Sequence, residues 1–148
     1  MGKDYDPAMH SAEHILNQTM VRMFKCGRCE NAHIEKNKSR IDYKYSRDIT
    51  PDEVSEIERR MNELIRTNLI VREEFIPREE ASKRFNLRKL PDDAGEILRI
   101  IHIGDYDACP CIGMHVKSTA DIGVFKIVST SYENGLLRLR YKLSGPAT

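Results

Sequence analysis

Four side chains stand at spacings that suit a metal ion. His10 and His14 are i, i+4, so on a helix they project from one side, one turn apart. Cys111 and His115 repeat that step inside Gly104-Asp105-Tyr106-Asp107-Ala108-Cys109-Pro110-Cys111-Ile112-Gly113-Met114-His115-Val116. This stretch is too rich in turn residues to be an ordinary strand and is expected to be a metal-binding loop. Three imidazoles and a thiolate suit Zn²⁺ best among common ions, because a thiolate disfavours Mg²⁺ and Ca²⁺. Taken singly, the histidine pair reads as two surface imidazoles; the second pair at the same spacing gives it meaning. The fold must then bring residue 10 to residue 111. A competing use exists, since Cys26-Gly27-Arg28-Cys29 could join Cys109 and Cys111 in a four-cysteine zinc site. That arrangement takes Cys111 from His115 and leaves the histidines idle. The plain reading of Cys26 and Cys29 is two thiols in a helix-ending turn, and Cys109 is assigned no role.

The flanks of both pairs carry a resemblance. His10-Ser11-Ala12-Glu13-His14-Ile15-Leu16, followed by Asp107, Cys111, Gly113, His115-Val116, Thr119, Ile122-Gly123 and Phe125-Lys126-Ile127, resembles the editing domain of alanyl-tRNA synthetase. It looks most like the free-standing AlaX-type proteins, and more distantly like the editing domain of threonyl-tRNA synthetase. The match runs from His10 to about Tyr141. It implies an α+β editing-domain fold, Zn²⁺ as cofactor, aminoacyl-tRNA as partner, and hydrolysis in trans of the ester that joins serine or glycine to the 3′ end of alanine tRNA. A chain of 148 residues has no space for an ATP-binding synthetase domain, which fits action in trans. The family's usual loop reads Cys-Gly-Gly-Thr-His; here Ile112 replaces the first Gly and Met114 the Thr. Ile112, Gly113 and Met114 are therefore expected beside the substrate, in a pocket tighter or more apolar than usual. Ser11 and Thr119 are candidates to touch the amino-acid hydroxyl, and Asp107 to orient a ligand imidazole from behind. The alternative function is a zinc-stabilised RNA-binding or regulatory module without turnover.

The elements that must position these residues follow from pattern. Length and a 40% hydrophobic content predict one globular domain over residues 1–148. Asp6-Pro7 opens a helix to about Lys25, with Met9, Ala12, Leu16, Met20 and Met23 inward, His10, His14, Asn17 and Val21 on the adjacent face, and Gly27 as terminator. A hairpin is expected over 32–45. Thr50-Pro51-Asp52-Glu53 forms a capping box that starts a helix to about Asn68, with Val54, Ile57, Met61, Leu64 and Ile65 buried. A strand over 69–75, a short helix over 78–85, a strand over 96–103 and a terminal hairpin over 122–143, turning at Asn134-Gly135, complete an antiparallel sheet with packed helices. The net charge of +1, from 24 basic and 23 acidic residues, gives no global field for nucleic acid. RNA contact must be local, with Lys83, Arg84, Arg88 and Lys89 the first candidate cluster and Arg138, Arg140 and Lys142 the second. Four cysteines, no secretory signal and no membrane-length apolar run predict a cytoplasmic protein.

Overall fold

Asp6 accepts the Met9 amide through its carboxylate (3.0 Å) and Pro7 supplies the first turn of α1, Pro7–Phe24. In the computed structural model, which describes residues 6–87, 90 and 95–145, the chain continues through β1 (Asn31–His33), β2 (Ser39–Lys44), α2 (Pro51–Arg66), β3 (Val71–Pro77), α3 (Arg78–Arg84), β4 (Ile97–Ile103), β5 (Asp107–Pro110), a 3₁₀ turn over Thr119–Ile122, β6 (Val124–Glu133) and β7 (Leu136–Ser144). The fold is α+β. One antiparallel sheet has the order β1-β2-β7-β6 and the other β3-β4-β5.

The inner face of the larger sheet follows from period-two alternation. Ile41, Tyr43, Leu137, Leu139 and Tyr141 are fully buried and pack with Met9, Ala12, Ile15, Leu16 and Met20 of α1 and Ile57 and Met61 of α2. Two tyrosine hydroxyls tie this sheet to α1: Tyr43 donates to Asn17 Oδ1 (2.9 Å) and Tyr141 to the Met9 carbonyl (3.0 Å). The edge strand β6 is covered by α2, where Asn62 takes both the N–H and C=O of Phe125 and Glu58 accepts from Ile127 N–H. A second, smaller core of Ile76, Ala81, Leu98 and Ile100 lies between the three-stranded sheet and α3.

Most expected elements are present, but the strands divide into two antiparallel sheets where one was expected, and three further differences stand out. The helix α1 stops at Phe24, where Lys25 takes a left-handed conformation (φ 59°) and donates to Val21 O, so Gly27 is not the terminator. The strand β6 begins at Val124, because Thr119–Ile122 is spent on the 3₁₀ turn. The segment Gly104–Val116 is not all loop. Its first residues turn tightly, Tyr106 N–H reaching Ile103 O (2.9 Å), and Asp107–Pro110 then pairs with β4 as an edge strand. Pro110 is tolerated because it ends a strand with one neighbour. The capping box is formed in both directions between Thr50 and Glu53, and Asn134 and Gly135 both have positive φ, as a two-residue hairpin turn requires. No helix among the described residues is long and apolar enough to cross a membrane.

Candidate metal centre

The first two turns of α1 carry His10 and His14 toward the end of β5, where the loop Cys111–Val116 begins. The strand β5 pairs with β4 and itself contacts α1, so its exit delivers Cys111 beside the helix. One donor atom from each of His10, His14, Cys111 and His115 lies within 4.8 Å of all the others. A tetrahedral zinc shell with bonds of about 2.0–2.3 Å has edges of roughly 3.3–3.6 Å, so small side-chain shifts close the set. One edge has that length already, His10 Nε2 to Cys111 Sγ at 3.4 Å.

Each imidazole has its other nitrogen directed to an oxygen. His10 Nδ1 is 3.2 Å from the Met114 carbonyl, and His115 Nδ1 is 3.0 Å from Ser11 Oγ. Ser11 Oγ also accepts the Val116 amide (3.1 Å) and has a second lone pair for a proton on His115 Nδ1, the tautomer that leaves Nε2 bare. His115 Nε2 is buried with no hydrogen-bond partner among the described residues. His14 Nδ1 faces Asp107 Oδ2 at 3.6 Å, an electrostatic contact and too long for a hydrogen bond. Asp107 is buried under Arg28, whose guanidinium donates to both its oxygens (2.7 and 3.2 Å), and under Gln18 (3.1 Å). The orphaned His115 Nε2, second ring nitrogens directed to oxygens and a thiolate-imidazole donor set all fit Zn²⁺.

Electrostatics agree with that fit. Burial pushes the Cys111 thiol up, but the imidazoles of His10, His115 and His14 around it outweigh burial and hold its pKa at about 3. Burial lowers His115 to about 4, so this ring is neutral and ready to ligate near pH 7. Burial also lowers His14, yet Asp107 and Cys111 override it and raise the group to about 10. Asp107 is raised by burial and lowered more by His14 and Arg28, to about 2.

The other expected site residues fall differently. Ile112 and Met114 are 68% and 66% exposed, so their side chains face solvent and do not narrow a pocket around the donors. Only the Met114 carbonyl turns inward. Gly113 is packed on the cluster: a Cβ there would lie 2.2 Å from His10 Cε1, so any other residue must displace the ring or the loop. Thr119 is wholly buried, its hydroxyl donating to Ile65 O (3.0 Å) and accepting from Leu69 N–H (2.9 Å). It fastens the end of α2 instead of facing a substrate. Ser11 likewise is committed to His115 and Val116. Cys26 donates to Met20 O, Cys29 to Glu13, and Cys109 to Pro110 O, and none of the three joins the donor cluster among the described residues. The four-cysteine alternative is not assembled. Lys83 and Arg84 are exposed at the end of α3, but Arg84 is paired with Glu80 and Glu74. Arg88 and Lys89 lie outside the described residues.

Three supporting residues were not anticipated. Arg28, Gln18 and Arg99 hold the site from behind, Arg99 Nη1 donating to the carbonyls of Cys111 (3.1 Å) and Gly113 (2.7 Å). Gln18 had a signal, since His10, His14 and Gln18 form one i, i+4 row along α1. Arg28 and Arg99 gave none, because their partners are distant in sequence.

Residues 98–139 match the family profile described as the threonyl and alanyl tRNA synthetase second additional domain. Alanine–tRNA ligase of Coxiella burnetii (strain Dugway 5J108-111) is 32% identical over 123 residues, 82% of this chain. That of Bacillus subtilis (strain 168) is 34% identical over 125 residues, also 82%, and that of Halorubrum lacusprofundi 33% over 145 residues, or 95%. The chain is related to the editing domain of alanyl-tRNA synthetase. The chain spans a small part of these ligases, 14% of the first two and 16% of the third. The profile covers the Cys111/His115 half of the cluster, and the longer ligase alignments reach most of the chain.

Proposed function

We propose that this domain hydrolyses mischarged aminoacyl-tRNA, removing serine or glycine from alanine tRNA in trans, with Zn²⁺ held by His10, His14, Cys111 and His115. The observation that carries the reading is the convergence of these four donors from opposite ends of the chain. Kinship with alanine–tRNA ligases supplies the substrate class. Bound there, the ion would acidify water and polarise a carbonyl.

The chain's own residues do the positioning. Met114 O and Ser11 Oγ fix the tautomers of His10 and His115, and Asp107, anchored by Arg28, holds His14 from behind. Arg99 pins the loop carbonyls, so Cys111 and His115 approach the helix in a set geometry. Substrate would enter from the loop side, where Cys111 and His115 are half-buried, since His10 and His14 on α1 are buried. An aminoacyl ester is already activated, so orientation and a placed water suffice to break it.

Four protein donors also complete a tetrahedral shell, the mark of a structural ion, and this favours a second reading as a zinc-stabilised RNA-binding module without turnover. Purified protein assayed on seryl-, glycyl- and alanyl-tRNA of alanine tRNA decides between them. Zinc-dependent loss of serine or glycine, with alanine spared, supports editing. Stoichiometric zinc with no deacylation of any of the three supports the second reading.

A further inference from the structure

The outer face of the four-stranded sheet is the opposite of its core face. Because Ile41, Leu139 and Tyr141 point inward, Arg40, Arg140 and Lys142 point out, and the register sets Arg40 directly opposite Arg140 and Lys126 directly opposite Lys142. Arg140 and Lys142 are neighbours on one face of β7, so the two like-charge pairs join into one patch of four cations across three strands. Among the described residues, no carboxylate forms an ion pair with any of the four. The one carboxylate in the adjacent row, Asp42, is spent on Arg138 (2.8 and 3.1 Å). Like charges directly opposite on a sheet are destabilising, and here two such pairs adjoin; Asp42 interacts electrostatically with Arg40 but forms its ion pair with Arg138. Both helices of the main core lie on the other face, and on this one Lys126 and Lys142 are exposed and Arg40 and Arg140 half-buried.

We infer that this face binds the phosphate backbone of RNA, through Arg40, Lys126, Arg140 and Lys142. The net charge of +1 makes the patch a local feature, not a sample of a basic surface. Its place in the fold links it to the site: Tyr141, between Arg140 and Lys142, holds the Met9 carbonyl from the other face, one residue from His10. The competing basic helix α3 has Arg84 neutralised by Glu80 and Glu74. The inference deepens the editing reading and rests on tRNA being its partner.

The test uses unacylated tRNA, so that binding is measured apart from turnover. Filter binding across a salt series is compared for the wild type, Arg140→Gln with Lys142→Gln, and Lys83→Gln, with circular dichroism to show that each is folded. We expect the double variant to bind about tenfold or more weakly at moderate salt and to lose about 1.5–2 from the slope of log affinity against log salt, with Lys83→Gln unchanged. Equal affinity and slope in the double variant, a loss confined to Lys83→Gln, or no tRNA binding by the wild type at low salt would overturn the assignment. Polyglutamate is titrated in parallel, and a preference for it over tRNA would move the patch to an acidic protein partner. Zinc-dependent hydrolysis of a seryl ester of adenosine, which lacks the helical phosphates, should be the same in wild type and double variant. Failure of that hydrolysis in the wild type, with the binding difference intact, would sink the editing reading and leave the surface standing.

Discussion

The helix half and the loop half of the donor cluster reach the same point by different means. His10 and His14 ride on a capped helix whose inward residues Ala12, Ile15 and Leu16 are fully buried, so core packing sets their positions. Cys111 and His115 sit in a loop with exposed Ile112 and Met114, held by polar clips: Arg99 on two carbonyls, Ser11 on His115 and Val116, and His10 on Met114 O. The helix half is thus set by the core, whereas the loop half depends on each clip and would gain most order from a bound ion.

The contrast breaks hardest at the donors. Cys111→Ala removes the thiolate and should drop zinc content from near one per chain to near zero by elemental analysis, with the helix retained by circular dichroism. Full zinc occupancy in that variant would place the ion elsewhere. Gly113→Ala comes next. Its Cβ would overlap the His10 ring, so ring or loop must move, and zinc affinity should fall about 10- to 100-fold in a competition titration. Affinity equal to wild type would show that the loop does not approach the His10 ring this closely.

The buried acid beneath His14 makes a pH prediction. Asp107 has a folded pKa near 2 against an ordinary 3.8, so its contribution is complete above about pH 4 and is lost as pH falls toward 2. The shift corresponds to about 2 kcal/mol. Urea unfolding of the metal-free protein should show Asp107→Asn less stable than wild type by about that much at pH 6, with the gap shrinking below pH 4. A gap independent of pH down to 2 would mean that packing, not charge, makes the difference.

The helix half was the more legible in sequence for the same reason that it is the more rigid. Capping by Asp6 and Pro7, an amphipathic stripe and the i, i+4 histidines are local signals, and so are the capping box at Thr50 and the Asn134-Gly135 turn. The loop half was legible in its donors but not in its supports. Asp107–Pro110 hid as a strand behind a turn-rich composition and a proline, and its pairing with β4 is a long-range fact. Arg28 on Asp107 and Arg99 on Cys111 O are contacts that no local pattern encodes. Ile112 and Met114 looked like pocket residues because they adjoin donors, yet alternation along the loop turns them outward while Gly113 faces His10.

Smaller effects sharpen the contrast. Arg99→Gln should loosen the loop alone, at about 1–2 kcal/mol, seen as faster amide exchange over 111–116 with α1 unchanged. Equal acceleration in α1 would deny that the halves are held independently. The smallest effect belongs to Ile112→Gly with Met114→Thr, which restores the family's usual loop. With both side chains exposed, stability should change by less than about 0.5 kcal/mol and zinc content not at all. A large loss of zinc there would show that these side chains shield the cluster.

The most direct measurement is X-ray absorption at the zinc edge on the purified, zinc-loaded protein. Ligation by His10, His14, Cys111 and His115 predicts a first shell with one sulfur at about 2.3 Å and nitrogen donors at about 2.0–2.1 Å, and imidazole scattering beyond it. Two or more sulfurs, which would bring in Cys26, Cys29 or Cys109, or no sulfur at all, would contradict the site as described.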